Sequence, residues 1–510
     1  SRGGAPALLS GDSPPPRPPP AMSGSLDDKD APTLLRLGLA LQSQQRLQEA
    51  AVVMHRACKK DPCCYDAHLY LGHLLCDLGR VRDATGPYKR ATVLDPSRPQ
   101  AHLGLAWALQ ELQDHSGAVE SYASAAGCTG LRGSELADCH FNRGNSLAAL
   151  RRTRDAREAY ERSVEVSESA EACNNLADLL WEQGDVSGAL QLFQRCCDLA
   201  GPALGAAAQN RLMALNYAHD LSAEQVFEAH AAWAQDFCGL LGEAWRAWPG
   251  SAPDAERPLR VGYVSPDFFR HSTSYFARCL VEHHSEMFEV FLYSNAARED
   301  DTTAYFRGAV SEARWRSVVG MGPREVGDLI RKDRIDLLVD LAGHTANNRL
   351  DVMALKPSPV QFTWCGYQNT SGLGAIDYFI SDGVVDPEDT AQPFTEEVAR
   401  LPVCMVCYSP PAGVPDVGGL PAAARGYVTF GSFNQLSKLS PACCALWARI
   451  LRGAAGSKLM IKAKGFLSED VKRKVEEQFE ALGISSERLL LVPTSSDHLQ
   501  VYTDSVDVAL

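Results

Sequence analysis

A chain of 510 residues exceeds one compact domain, and at roughly 150 residues per domain it calls for about three. An apolar share of 45% with 22% charged residues excludes a wholly disordered protein, and no apolar run reaches the roughly eighteen residues needed to span a membrane. Lys and Arg number 49 against 63 Asp and Glu, a net charge of -14, which argues against general nucleic-acid binding because that requires a basic face.

Residues 1–30 are rich in Pro, Gly and Ser, with the run Pro14-Pro15-Pro16-Arg17-Pro18-Pro19-Pro20. Such a composition buries too little apolar surface to order itself, so a disordered leader is expected. Residues 31–200 then carry a repeat. Leu37-Gly38, Leu71-Gly72, Leu105-Ala106, Arg143-Gly144 and Leu176-Ala177 recur at nearly constant spacing. Ala50, Ala84, Ala118, Ala156 and Ala189 follow them in register, and then Met54, Tyr88, Tyr122, Tyr160 and Phe193. This is the tetratricopeptide pattern of paired antiparallel helices, with small residues where helices touch and a large one filling the gap. About five units stack into a superhelix whose groove binds extended peptides. Asn142, Asn145, Asn174 and Asn175 either line that groove or serve as polar caps. Residues 201–257 read as a helical linker that loosens at Trp248-Pro249-Gly250-Ser251-Ala252-Pro253.

From Leu259 short apolar strands alternate with helical stretches. The strands are expected at 259–264, 288–293, 335–341, 360–364 and 377–380. A second alternating unit starts at Tyr427, with strands at 427–430, 458–461 and 488–492 and helices at 441–451 and 469–482. Both units predict parallel sheets wrapped by helices, one over 258–425 and one over 426–510. The terminal Val506-Asp507-Val508-Ala509-Leu510 reads as a buried strand. With Ser rather than Met at position 1, this predicts a fragment whose second lobe is incomplete.

Ligands of parallel sheets sit at the carboxyl ends of strands, which singles out four loops. The first carries Asp267 and His271, a pairing suited to a general base. The second, Gly343 to Arg349, crowds His344, Thr345 and Asn347 into one turn. It predicts a small-molecule or peptide pocket or, equally, an ordinary surface turn. The third carries Tyr367, Thr370 and Ser371 between glycines. The fourth carries Ser432, Asn434, Gln435 and Lys438 and enters a helix at Ser440-Pro441, an N-cap followed by proline. A helix N-terminus beside a lysine is an anion site, so Lys438 is placed to neutralise a diphosphate leaving group. No GxGxxG, P-loop or acidic metal box accompanies these loops, so no cofactor and no metal are expected. The sixteen cysteines are scattered, and the Cys404/Cys407 CxxC lacks the second pair a zinc site needs. Buried or half-buried free thiols in a reducing compartment are expected.

Tetratricopeptide repeats leading into two parallel α/β lobes resemble the O-GlcNAc transferase family. The match is carried by Gly262-Tyr263-Val264-Ser265-Pro266-Asp267, by Gly366-Tyr367 with Thr370-Ser371-Gly372, and by Phe433-Asn434-Gln435-Leu436 with Lys438. Gly343-His344-Thr345-Ala346-Asn347-Asn348 resembles the SPINDLY branch more than the animal branch, which carries Tyr at position 344. The resemblance runs from about residue 31 to 510. It implies a superhelix followed by a GT-B glycosyltransferase of two Rossmann-like lobes, inverting and metal-independent. Such an enzyme modifies Ser or Thr of nuclear and cytoplasmic proteins held by the repeats. It further implies that His271 lies near the reacting hydroxyl, that Lys438 stabilises the diphosphate, and that Gln435 lies beside it. The donor it implies is UDP-GlcNAc for the animal branch and GDP-fucose for the SPINDLY-like branch, with neither nucleic acid nor membrane as a partner; such repeats also admit a homodimer. The remaining nucleotide-binding groups of the family would lie downstream of Leu510, so weak donor binding is expected of this chain. The alternatives are a non-catalytic tetratricopeptide scaffold and, less well matched to the repeats, a sugar-nucleotide epimerase.

Overall fold

A computed structural model describes residues 26–201, 205–241, 257–411, 413–495 and 497–510. Most of the expected leader and the Trp248–Pro253 stretch of the expected linker lie outside the described residues. The chain divides into two compact units, one through Leu179 and one from Leu180 onward.

The first unit is built of antiparallel helix pairs, beginning with Ala31–Ser43 and Leu47–Lys60, then Tyr65–Asp77 and Val81–Leu94. The repeat signature is the packing rule itself. A Cβ added to Gly38 would fall 2.7 Å from the Met54 side chain, one on Gly72 2.5 Å from the Tyr88 ring, and one on Gly144 2.6 Å from the Tyr160 ring. The small residue thus exists because the large residue of its partner helix occupies that space. Tyr88 also fills the space above Gly104 of the following pair, so one ring joins two repeats. It is fully buried, and Tyr88→Ala should lower the stability of this unit by about 3–5 kcal/mol, read as a lowered urea midpoint. Asn145 accepts from both Tyr160 Oη (2.8 Å) and Asn175 Nδ2 (2.9 Å), so these asparagines bond within the repeats.

In the second unit, seven strands form one sheet: β1 (Leu259–Ser265), β2 (Phe288–Ser294), β3 (Trp315–Ser317), β4 (Leu337–Asp340), β5 (Val360–Thr363), β6 (Tyr378–Asp382) and β7 (Glu397–Leu401). Their spatial order is β3-β2-β1-β4-β5-β6-β7, all parallel. The chain winds outward from β1 to β3 and then returns to the other side at β4. The switch point between β1 and β4 opens a crevice at their carboxyl ends. A second sheet holds β8 (Thr429–Ser432), β9 (Lys458–Lys462), β10 (Leu489–Val492) and β11 (Val508–Ala509) in the order β10-β9-β8-β11, again parallel. Its switch point lies between β8 and β11.

Three expectations need correction. The helices Ala206–Leu215 and Ala223–Leu240 are not a bare linker: Leu212, Val226 and Trp233 share one core with Val264, Leu338 and Leu373. The terminal strand is not a core strand: β11 lies at the sheet edge and Val508 is 43% exposed. Among the cysteines, Cys63, Cys404 and Cys407 are exposed rather than buried, although all sixteen are free thiols. No described helix is long and apolar enough to cross a membrane.

Candidate functional site

The loop after β1 follows directly from the switch point. Asp267 Oδ2 stands 3.3 Å from His271 Nδ1. Thr273 N donates to the same ring nitrogen (3.4 Å), so Nδ1 is engaged by the protein on two sides and Nε2 is the ring nitrogen without a protein hydrogen-bond partner among the described residues. The loop is fastened from outside by Asp300, whose carboxylate accepts from Arg270 N (2.9 Å) and caps the helix Asp301–Val310. These backbone donors hold the Asp300 carboxyl below its usual range. Burial pushes Asp267 the other way, upward, with the His271 charge and a Thr273 hydroxyl bond opposing it. His271 itself is 43% exposed, as a group that meets a substrate must be.

The loop after β4 is held by Asp340, which is fully buried and accepts from Gly343 N (2.7 Å), Ala342 N (3.2 Å) and Thr363 Oγ1 (3.1 Å). Burial raises its pKa to about 6 despite those donors. Thr345 Oγ1 donates to Ala342 O (2.8 Å), and Asn347, exposed with φ 58°, accepts on its carbonyl oxygen from Asn295 Nδ2 (2.9 Å).

His344 does not line an open pocket. It is 1% exposed, with its ring centroid 4.5 Å from that of Trp233, 5.1 Å from Tyr367 and 5.2 Å from His230. Its Nε2 donates to Ser371 O (2.9 Å), and burial drives its pKa down to about 3. Tyr367, Thr370 and Ser371 are likewise interior groups rather than pocket walls. Tyr367 Oη donates to His230 Nε2 (2.5 Å) and accepts from Asn216 Nδ2 (2.8 Å). Thr370 Oγ1 donates to Glu396 (2.6 Å), and Ser371 donates to the same carboxylate through its N (2.8 Å) and its Oγ. A polar residue beyond a strand end either meets ligand or meets a distant partner. Here the partners lie 25 to 151 residues away, so local pattern could not reveal them. Glu396 is the group that sequence reading missed. Glu396→Ala should cost about 2–4 kcal/mol in a denaturant titration, because it strands three buried donors.

The fourth loop lines a cavity. Ser432, Asn434, Gln435 and Lys438 converge on a cavity of 260 Å³, with Trp447 and Leu510 among its other walls. It lies at the switch point between β8 and β11. Lys438 Nζ is 3.4 Å from Asn434 Oδ1, and Asn434 Nδ2 donates to Ser432 Oγ (3.2 Å). The helix Pro441–Gly453 begins beside it, capped by Ser440, whose Oγ accepts from Cys443 N (3.2 Å). Lys438, the Asn434 amide and Cys443 from the first turn of that helix therefore border one cavity, which supplies a cation and polar groups for an anion. A second cation was not legible in sequence: Lys462 ends β9, is only 2% exposed, and donates to Ser495 Oγ (2.6 Å). Its ammonium lies 5.3 Å from the Phe433 ring centroid, so it borders the same loop. Among the described residues, no three His, Cys, Asp or Glu side chains are arranged to hold a metal.

Against this geometry the comparisons with known proteins are direct. The family model "Glycosyl transferase family 41" matches residues 210–407, and the "Tetratricopeptide repeat" model matches 35–91, 71–130 and 141–203. The Arabidopsis thaliana protein described as "Probable UDP-N-acetylglucosamine--peptide N-acetylglucosaminyltransferase SPINDLY" is 41% identical over 310 residues, covering 60% of this chain and 34% of that protein. The SEC protein of the same plant, given the same probable activity, is 31% identical over 216 residues, covering 40% of this chain and 22% of its own length. This chain thus spans about a third of the length of the curated SPINDLY relatives it matches. A solved mutant of the Thermobaculum terrenum O-GlcNAc transferase superposes with a TM-score of 0.61 at 27% identity, covering 87% of this chain and 77% of that one. The expected combination of helical repeats and a parallel α/β domain of that fold is borne out.

Proposed function

We propose that this chain, a SPINDLY-like chain of the O-GlcNAc transferase type whose residues 210–407 match glycosyl transferase family 41, is part of a protein O-glycosyltransferase. The enzyme transfers a sugar from a nucleoside-diphosphate donor to Ser or Thr of proteins bound by the tetratricopeptide repeats. The observation that carries the reading is the cavity at the second switch point, which Lys438 lines together with Ser432, Asn434, Gln435 and Cys443 of the helix Pro441–Gly453.

In this reading the acceptor hydroxyl loses its proton to His271 Nε2 as its oxygen attacks the anomeric carbon. Asp267 stabilises the imidazolium through Nδ1. The diphosphate departs from the opposite face, which inverts the anomeric configuration. Its developing charge is met by Lys438, backbone amides and the helix dipole, with no metal ion required. Asn434, Gln435 and Ser432 bond the donor's sugar or phosphate oxygens. The substrates are proteins of the nucleus and cytoplasm, a setting that suits sixteen unpaired cysteines.

The donor is GDP-fucose in the SPINDLY-like reading, whereas the printed names of the relatives give UDP-N-acetylglucosamine. His344 does not decide this, because it packs in the core and touches no open surface. Intact-mass analysis of a Ser/Thr-rich acceptor decides it, with full-length protein and each donor in turn. A deoxyhexose increment with GDP-fucose supports the reading. A hexosamine increment with UDP-GlcNAc keeps the transferase and replaces the donor. No increment with either favours a scaffold. In the same assay His271→Ala should lower turnover by about 10²- to 10⁴-fold with an unchanged melting curve, and wild-type turnover would remove His271 from the mechanism.

A further inference from the structure

Three thiols converge away from the groups invoked above. Cys279 lies on the helix Ser274–Glu282, which starts directly after the His271 loop. Cys404 and Cys407 lie in the segment after β7, and that segment is docked on the same helix. Ser409 N donates to Tyr275 O (2.8 Å), and the Tyr408 ring lies 5.6 Å from Phe276 and 6.1 Å from Tyr275. Cys279 Sγ is 2.8 Å from Ser409 Oγ. The docking carries Cys407, two residues before Ser409, alongside Cys279, and Cys404 lies three residues further back on the same segment. Cys404 and Cys407 are exposed and Cys279 is half-buried, so an oxidant reaches the cluster from solvent.

We propose that Cys279 and Cys407 form a reversible disulfide, with Cys404 as the resolving thiol, so that this cluster is a redox modification site. The oxidant is a hydroperoxide. The Cys279 thiolate attacks its terminal oxygen, giving a sulfenic acid and releasing water when the oxidant is hydrogen peroxide. The Cys407 sulfur then displaces the sulfenic hydroxyl, forming the S–S bond and a second water. Two thiols have lost two protons and two electrons, and one peroxide has been reduced. In reversal, the Cys404 thiolate attacks the Cys407 sulfur and frees Cys279. The resulting Cys404–Cys407 disulfide is reduced by an external dithiol. The same disulfide results whichever of the two sulfurs is oxidised first. The bond would staple the 404–409 segment to the helix that follows the His271 loop.

The test treats the native chain with one equivalent of hydrogen peroxide, alkylates the remaining thiols, and maps peptides by mass spectrometry. The expected product is a peptide pair joined through Cys279 and Cys407, lighter by two hydrogens and lost on treatment with dithiothreitol. Cys404→Ser should keep that link and slow its reversal by a dithiol. Complete alkylation of Cys279 after oxidation, or a link between Cys404 and Cys407 alone, would overturn the proposal. The decisive reading is made on the unsubstituted protein, so a variant that fails to fold does not blunt it.

Discussion

Under the proposed transferase function, Lys438→Ala should lower turnover of the full-length protein by about 10²- to 10³-fold while leaving acceptor-peptide affinity within a few-fold. The expectation rests on where the charge is needed. A departing diphosphate gains charge in the transition state, and a preplaced ammonium stabilises that state more than the bound donor. Lys438 is the cation that the cavity walls contain, and its Nζ is steered by Asn434, itself held by Ser432. Lys462 is buried and turned to Ser495, so it does not replace a missing Lys438. Asn434→Ala should therefore act in the same direction but more weakly, by roughly tenfold, since the charge remains and only its aim is lost. Arginine at 438 keeps the charge but presents a wider, planar fork, so it should restore only part of the rate. Steady-state kinetics with a peptide acceptor separate these outcomes. An alanine variant with wild-type turnover would place the leaving-group charge elsewhere.

Acidification from pH 7 to pH 5 should lower the stability of the α/β unit, with His230, His344 and Asp340 together contributing a net loss on the order of 2 kcal/mol. Two buried histidines drive this. His230 and His344 are held neutral by burial, with pKa values lowered from 6.5 to about 4 and about 3. A group whose folded pKa is depressed contributes stability above its unfolded pKa, and that contribution is lost as pH falls through the window from 6.5 to 3–4. Asp340 works against them. Its folded pKa is raised from 3.8 to about 6, so its contribution is present below 3.8 and lost above 6. Two histidines outweigh one aspartate, and the net slope is downward on acidification. Urea titrations at pH 7.5 and 5, read by Trp233 fluorescence against the His344 ring, measure it. His344→Leu should flatten the dependence. An unchanged midpoint across this range, or an equally steep variant, would refute the assignment.

The repeats were legible because each small residue and its large partner are close in sequence and fixed in spacing, as with Gly72 and Tyr88. The longer strands were legible as apolar runs between turns. Two strands were not. β3 is three residues long, and β7, Glu397-Val398-Ala399-Arg400-Leu401, is half polar because it forms a sheet edge. In the site, Ser432 to Lys438 could be placed because strand, loop and capped helix are contiguous. At His344, in the loop 343–349, and in the loop 366–372, polarity records a partner without saying whether it is ligand or protein. For Thr370 and Ser371 the partner is Glu396, and for Tyr367 it is His230 and Asn216.

Those same two loops constrain how the lobe can change over time. A Cβ on Gly366 would stand 2.1 Å from Leu341 O, and one on Gly343 2.3 Å from Tyr367 Cβ. The two backbones run in mutual contact with no room for a methyl group between them. Neither loop can lengthen or change path without displacing the other. Change at this end of the lobe is therefore confined to the exposed side chains, such as Asn347, and excludes insertion. The region should drift in sequence at single positions while its length stays frozen.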